Sequence, residues 1–510
     1  MSAAAAGTLL LTAVGLFSQL VGFFYRVALS RMLGAEAMGL YQLIMPVYST
    51  LMSLSAVGLT VAVSTLAARL HAQGDDGAVS SMLRRALGCF FLVAVPLGLA
   101  AAALSDPISV YLLGDARTRL GVVLLVPCML LTGVENLHKH CFYGLERVGP
   151  PALCEAVEQV LRAGAVLILL AVLRPAGGEG RVGAVAAGMV LCEVFSAVTL
   201  TLLLRRHWRR EPPGPARSRT AYRQIVRIAV PVGLTSLLGT VLGSANAVLI
   251  PARLVAGGMD GAAAMSAFGV LCGMAMPLLA MPTVAVGALC LTMVPDLAKR
   301  TARGDLRAAG HFLDRVLGAS SAVLAPAMTL LAVLGPAIGR AVYREPSVGD
   351  WMPALAVGTL LACWQSILSG ALNALNRQRR AALGAIVSDA VQLAFTALTV
   401  ARWGQGGFVV GFVLSGLVGA GMDLSAVLGC TGLRPRWYHW LVRPLLSAAL
   451  MGLCCRLLFG LLERAAFGSL WSCLICAALG LAVYAAAMLA QGASPGDYLP
   501  RLRRRGDAPC

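Results

Sequence analysis

Apolar residues in this chain fall into continuous runs separated by short clusters of charge and Pro/Gly. The runs cover residues 7–30, 39–68, 84–104, 119–137, 151–173, 182–204, 225–250, 264–295, 311–334, 351–372, 381–401, 407–430, 441–461 and 468–491. About 20 apolar residues in a helix cross a hydrocarbon core about 30 Å thick. Inside lipid every backbone polar group needs a partner within the protein, so spanning segments are helices or closed barrels. Barrel strands alternate apolar and polar residues over about 10 positions, and these runs do not. The pattern predicts an all-α integral membrane protein with about fourteen transmembrane helices.

Composition supports this. Of 510 residues, 58% are hydrophobic and 13% charged, with a mean hydropathy of +0.80; soluble proteins carry about 25% charged residues. The net charge of +18 rests on 41 basic residues, all Arg except Lys139 and Lys299. No soluble basic domain can be cut from the chain, so nucleic acid is not an expected partner. The longest connection, residues 205–227, is an Arg- and Pro-rich linker. The even-numbered connections and the C-terminal tail hold 28 Lys and Arg against 12 in the odd-numbered connections. Basic residues favour the cytoplasmic side, so both termini are expected there. The Arg clusters at 205–210 and 501–505 read as topology signals and anionic-lipid contacts. The N-terminus lacks a basic leader and cleavage site, which predicts a retained first helix. The 14 Cys lie mostly in apolar runs, without CxxC spacing, and read as small packing residues.

A shift of 230 residues aligns ARLHAQGD (68–75) with AKRTARGD (298–305), and YGLERVGPPAL (143–153) with NALNRQRRAAL (373–383). The expected organisation is therefore two six-helix halves, 1–206 and 225–430, joined by the linker 207–224 and followed by helices 13 and 14 with a basic tail, 431–510. Six is an even number of crossings, so the halves form a parallel repeat.

Ionisable residues within spans are costly and by default mark a pathway. Here the ionisable and amide residues are Gln19, Arg26 and Arg31 at helix 1, Glu155, Glu158 and Arg162 in helix 5, Glu193 in helix 6, Asn246 and Arg253 at helix 7, Asp389 and Gln392 in helix 11, and Asp423 in helix 12. Glu155, Glu158 and Arg162 share one face, and Glu158 and Arg162 can pair at i, i+4. That leaves Glu155 as an unpaired carboxylate. The 230-residue shift sets Glu158, Gln159 and Arg162 on Ser388, Asp389 and Gln392, a second polar face that favours a central cavity. Arg26 lies deeper than Arg31 and Arg253, for which snorkelling to the interface is the competing account. An Arg facing a cavity grips phosphate with a bidentate, permanently charged fork. No P-loop, HExxH or nucleophile elbow occurs. The reading is no enzyme, no cofactor and no resident metal, and any transport must draw on gradients, membrane potential or substrate supply.

The opening SQLVGFFYRVALSRMLGAEAMGLYQLIMPVYSTLMSLSAVGLTVAVSTLAARL (18–70) and the stretch EAVEQVLRAG (155–164) resemble the stage V sporulation protein B type of polysaccharide-biosynthesis membrane protein. That family belongs to the multidrug/oligosaccharidyl-lipid/polysaccharide flippase superfamily, with lipid II flippases and multidrug antiporters. The resemblance implies two V-shaped halves, as in the multidrug antiporters, around a cavity that alternates its access. It implies a bacterial plasma-membrane flippase that moves an undecaprenyl-diphosphate-linked saccharide, such as a peptidoglycan precursor, outward for spore cortex or cell wall synthesis. Arg26, Arg31 and Arg253 would hold the diphosphate. Glu155, Glu158, Arg162, Asn246 and Asp389 would line the cavity or couple an ion. The expected partners are the lipid-linked oligosaccharide and membrane lipids, with the protein acting as a monomer. Lipid II flippases of the Gram-negative type carry S-R-x-x-G-F-x-R in helix 1, where this chain has Ser18-Gln19 and Phe24-Tyr25-Arg26. A multidrug or cation antiporter and a non-transporting wall-synthesis scaffold are the alternatives.

Overall fold

The structure, a computed structural model, describes residues 3–210, 222–464 and 468–493. The middle of the 207–224 linker and the basic tail at 501–505 lie outside the described residues. Among the described residues, thirteen helices are long and apolar enough to cross a membrane. One of them, Thr12–Ala72, runs for 61 residues, about 90 Å at 1.5 Å per residue, where one crossing needs about 30 Å.

That long element holds two expected runs. Helix α1 (Ala3–Met52) is broken at Gly34, whose φ of 77° and ψ of 172° no helix contains. A π-helical stretch, Ser53–Val57, then leads into α2 (Gly58–Ala72). The chain continues through α3 (Asp76–Ala103), α4 (Arg119–Gly144), α5 (Gly149–Leu173), α6 (Gly177–Arg210), α7 (Tyr222–Ala256) and α8 (Gly261–Phe268). Beyond lie α9 (Thr283–Ala302), α10 (Leu306–Ile338), α11 (Met352–Ala374), α12 (Gln378–Trp403), α13 (Gln405–Thr431), α14 (Arg443–Arg464) and α15 (Ser469–Ala490). The run expected to be continuous over 264–295 is interrupted. It passes through a π stretch (Gly269–Ala275) and a short helix (Met276–Ala280) before α9 starts after Pro282. Proline lacks the amide proton that would carry the helix across that point.

Two compact units result, Met1–Gly269 and Val270–Cys510. This division falls inside the expected second half, 225–430, because α7 and α8 pack against α1, and α7 also against α2. In the first unit α4 lies against α2, α3 and α6, while α5 lies against α1 and α6. Lipid supplies no hydrophobic drive between helices, so close packing of small residues takes over. Gly39 abuts the carbonyl of Met265, Gly58 abuts that of Ala229, and a Cβ at Gly188 would stand 2.9 Å from the Val166 Cα. Large apolar side chains such as Leu92, Leu99 and Val172 are exposed instead, as a lipid-facing surface requires.

In the second unit α10 contacts α11, α14 and α15, and α13 packs on α11 and α12. Asp314 of α10, itself buried, accepts from Trp440 Nε1 at 2.7 Å and from Arg436 Nη1 at 3.1 Å. The Tyr484 hydroxyl of α15 donates to the Ala322 carbonyl at 3.0 Å, and Arg443 of α14 to the Gln491 carbonyl at 2.6 Å.

The connections repeat in detail. Gly74 and Gly304 take positive φ (69° and 73°). The residue after each caps the next helix: Asp75 accepts from the Ala78 amide at 3.0 Å and Asp305 from the Ala308 amide at 2.9 Å. Glu146 and Asn376 are both left-handed at φ 57°. After each, an arginine amide returns to the preceding helix, from Arg147 to Phe142 at 3.0 Å and from Arg377 to Leu372 at 2.8 Å. These bonds have the six-to-one form of a Schellman helix end. In every pair the two positions are 230 apart.

Candidate functional site

Among the described residues, a dense charged constellation within the spans sits in the first unit, where α4, α5 and α6 meet. Helix α5 opens on Pro150 and Pro151, whose fixed φ suits a first helical turn. The close approach at Gly188 and Val166 then brings α6 against its flank. One or two turns from that contact on each helix, Glu158 and Arg162 of α5 face Glu193 of α6. Arg162 Nη2 donates to Glu158 and, at 3.0 Å, to Glu193 Oε1.

Glu135 of α4 joins them. Glu135, Glu158 and Glu193 are all buried, and each offers one carboxylate oxygen within 4.8 Å of the others. Oxygen ligands of calcium-like cations lie about 2.3–2.6 Å from the ion, so one cation could reach all three. Three carboxylates and one guanidinium leave an excess of two negative charges if all are ionised. Buried charge without a partner is strongly unfavourable. A proton or a cation is the chemistry that balances it. Glu193 Oε2 and Arg162 Nε have no hydrogen-bond partner among the described residues.

Glu155, expected as an unpaired carboxylate, is not one: Lys139 Nζ of α4 donates to its Oε2 at 2.6 Å. Sequence reading missed this because Lys139 stands beyond the apolar run and was placed in a connection. Glu135 lies inside the expected run 119–137 but was not among the candidate residues; it stands at i, i+4 to Lys139 near the end of α4. Of the expected phosphate-binding arginines, Arg26 is half-buried on α1, and it and Arg162 both lie within electrostatic reach of Tyr25 and Tyr41. Arg31 is exposed near the Gly34 break, while Asn246 and Arg253 are half-buried on α7.

In the second unit Asp389 is half-buried on α12. Its neighbours on that face are used in packing. Ser388 Oγ donates to the Ser415 carbonyl at 2.9 Å, Ser415 Oγ to Gln392 Oε1 at 3.1 Å, and Gln392 Nε2 to the Phe408 carbonyl at 3.3 Å. Asp423 of α13 is more deeply buried, packed over Gly384, and neither of its oxygens has a partner among the described residues.

Comparisons with known proteins agree with this architecture. The chain is 24% identical to stage V sporulation protein B of Bacillus subtilis (strain 168) over 397 residues, 76% of each chain. Among solved structures, lipid II flippase MurJ in an inward closed conformation superposes with a TM-score of 0.69 at 14% identity, covering 94% of this chain and 98% of the other. A multidrug resistance MATE family transporter of the MOP superfamily, inward-facing, gives 0.64 at 14% identity, covering 82% and 96%. Both fold neighbours are transporters rather than enzymes. Residues 4–299 match the polysaccharide biosynthesis protein family over more than half the chain, and the protein belongs to that family.

Proposed function

We propose that the protein is a flippase that carries a polyprenyl-diphosphate-linked saccharide, of the peptidoglycan-precursor kind, from the inner to the outer leaflet by alternating access. The observation that carries this reading is the helix pair α14–α15. Coverage of this chain is 94% with the flippase fold and 82% with the multidrug fold. The difference, 12% of 510 residues, is about sixty residues, enough to contain the 48 from Arg443 to Ala490. This pair exposes Leu446, Leu450, Leu453 and Leu457, apolar surface beyond a twelve-helix core along which a long lipid tail could lie.

The remaining parts follow from that role. The matched turns at Gly74 and Gly304, and at Glu146 and Asn376, support a parallel repeat. With the Gly34 break dividing the first element, the thirteen candidates fit a fourteen-span topology with both termini on the basic, cytoplasmic side. Arg26 would grip the diphosphate, with Arg31 and Arg253 nearer the helix ends. The group formed by Glu135, Glu158, Arg162 and Glu193 would take up or release a proton or cation as access alternates. Asn246 and Asp389 would line the pathway. The carboxylate group also suits a cation antiporter, which is the second reading.

Reconstituted liposomes separate the two. Purified protein should move a fluorescent undecaprenyl-diphosphate saccharide into the leaflet where an impermeant quencher reaches it. Extrusion of a cationic dye without movement of the lipid would replace the flippase reading with the antiporter.

A further inference from the structure

Away from the carboxylate group, at the basic end of the first unit, Arg147, Arg206, His207 and Arg210 converge on one cavity of about 330 Å³. Its remaining wall is apolar and includes Phe142 and Leu203. Phe142 is fully buried and Leu203 packs on the same core cluster, so the floor of the cavity is fixed. Among the described residues no carboxylate lines it.

Two local features assemble this pocket. The left-handed Glu146 ends α4 in a turn whose Arg147 amide bonds back to the Phe142 carbonyl at 3.0 Å, which folds Arg147 beside Phe142. Helix α6 is 34 residues long, about 51 Å, more than the hydrocarbon core needs. Its last turns, with Arg206, His207 and Arg210, therefore extend into the headgroup layer. A cationic cavity with an apolar floor at that depth matches an amphiphile with a phosphate head. Basic pockets at this level of a helical bundle bind anionic headgroups.

We propose that this cavity is a binding site for the phosphate headgroup of an anionic glycerophospholipid. The arginines hold the phosphate oxygens, and Phe142 and Leu203 meet the glycerol and the first acyl carbons. The site is separate from the proposed substrate pathway and stands independently of it. It would make the conformation of the α4–α6 end sensitive to the anionic lipid content of the membrane.

Native mass spectrometry of the full chain in neutral detergent tests the site, with phosphatidylglycerol and phosphatidylcholine as probes. Wild type should bind the first phosphatidylglycerol at least tenfold more tightly than phosphatidylcholine. Each arginine near an anionic surface contributes about fivefold, so Arg206→Gln with Arg210→Gln should weaken phosphatidylglycerol about 25-fold and leave phosphatidylcholine unchanged. Leu203→Trp, which fills the cavity with every charge in place, should give a comparable loss and serves if the glutamine variants do not fold. Unchanged phosphatidylglycerol binding in either variant overturns the proposal. So does inorganic phosphate alone stabilising the protein as well as the lipid does, which would make this a free-anion site. Displacement of phosphatidylglycerol by equimolar polyprenyl diphosphate would likewise reassign the cavity to substrate.

Discussion

Lys139 and Glu155 join the end of α4 to the start of α5 through a 2.6 Å bond, with side chains 18% and 33% exposed. Pairs in contact couple by about 0.5–3 kcal/mol. Lys139→Ala and Glu155→Ala should each lower the melting temperature in detergent, while the double variant should lose less than the two single losses added together. Strict additivity would show that the two do not support each other.

Arg162 is the cation shared by Glu158 and Glu193, with Glu135 close by. Arg162→Gln leaves three carboxylates together and should cost about 3–5 kcal/mol, enough to prevent folding or insertion. Glu135→Gln removes a charge from an already acidic group and should be tolerated in expression and thermal stability. In the flippase reading it should alter the ion dependence of translocation. Glu158→Gln combined with Arg162→Gln should be milder than Arg162→Gln alone if the pair is structural. A stable Arg162→Gln protein would remove the charge-balance argument.

Arg26 is expected to contact the diphosphate. Arg26→Ala should abolish complementation of a flippase-deficient strain at normal expression, and Arg26→Lys should restore it in part, since an ammonium lacks the bidentate fork. Full activity of Arg26→Ala would move phosphate recognition elsewhere.

Gly58 presses its Cα against the Ala229 carbonyl, with the Gly233 amide 3.0 Å from where a Cβ would stand. Backbone cannot give way as a side-chain tip does. Gly58→Val should separate α2 from α7 and destabilise the protein by about 1–3 kcal/mol or more, read as a lower melting temperature or loss of monodisperse protein. Gly149→Val, where nothing lies within 4 Å, is the control and should behave nearly as wild type.

A single Cys placed at position 215, in an otherwise Cys-free protein, should resist membrane-impermeant thiol reagents in intact cells. Ready labelling from outside would reverse the orientation read from the charge bias.

The helical spans were legible because hydrocarbon imposes a minimum length and a composition that soluble packing does not. The Glu158–Arg162 pair was legible because i, i+4 spacing is local. The turns at Gly74 and Asn376 were visible as sequence matches, though their left-handed backbones were not. What escaped depended on contacts between helices. Glu193 reaches Arg162 across 31 positions, and Glu135 stands where the apolar pattern fades into Val134-Glu135-Asn136 before the helix itself ends. The Gly34 break was hidden for a different reason: a glycine between two apolar runs reads as a loop, whereas the backbone stays helical up to both sides of it. Arg147 and Arg206 are brought together only by the folding of α4 against α6.

The seam between α1–α2 and α7–α8 brings main chain against main chain at three points: Gly39 on Met265, Gly269 on Ala35 and Gly58 on Ala229. Side-chain bonds across it include the hydroxyl pair Ser53 and Thr240 at 2.7 Å. At these glycine contacts no interlocking side chain has to be withdrawn when the surfaces part, although Ile225 and Ala229 of α7 share an apolar cluster with Leu59 and Val63 of α2. Two arrangements, seam shut and seam parted, can therefore lie close in free energy. Reversing a 1:99 distribution between two states takes about 5.5 kcal/mol of preferential binding, within reach of a single charged headgroup. Glycine at these positions thus keeps the population balance responsive to the cargo, where a leucine zipper along the same line would hold it in one state.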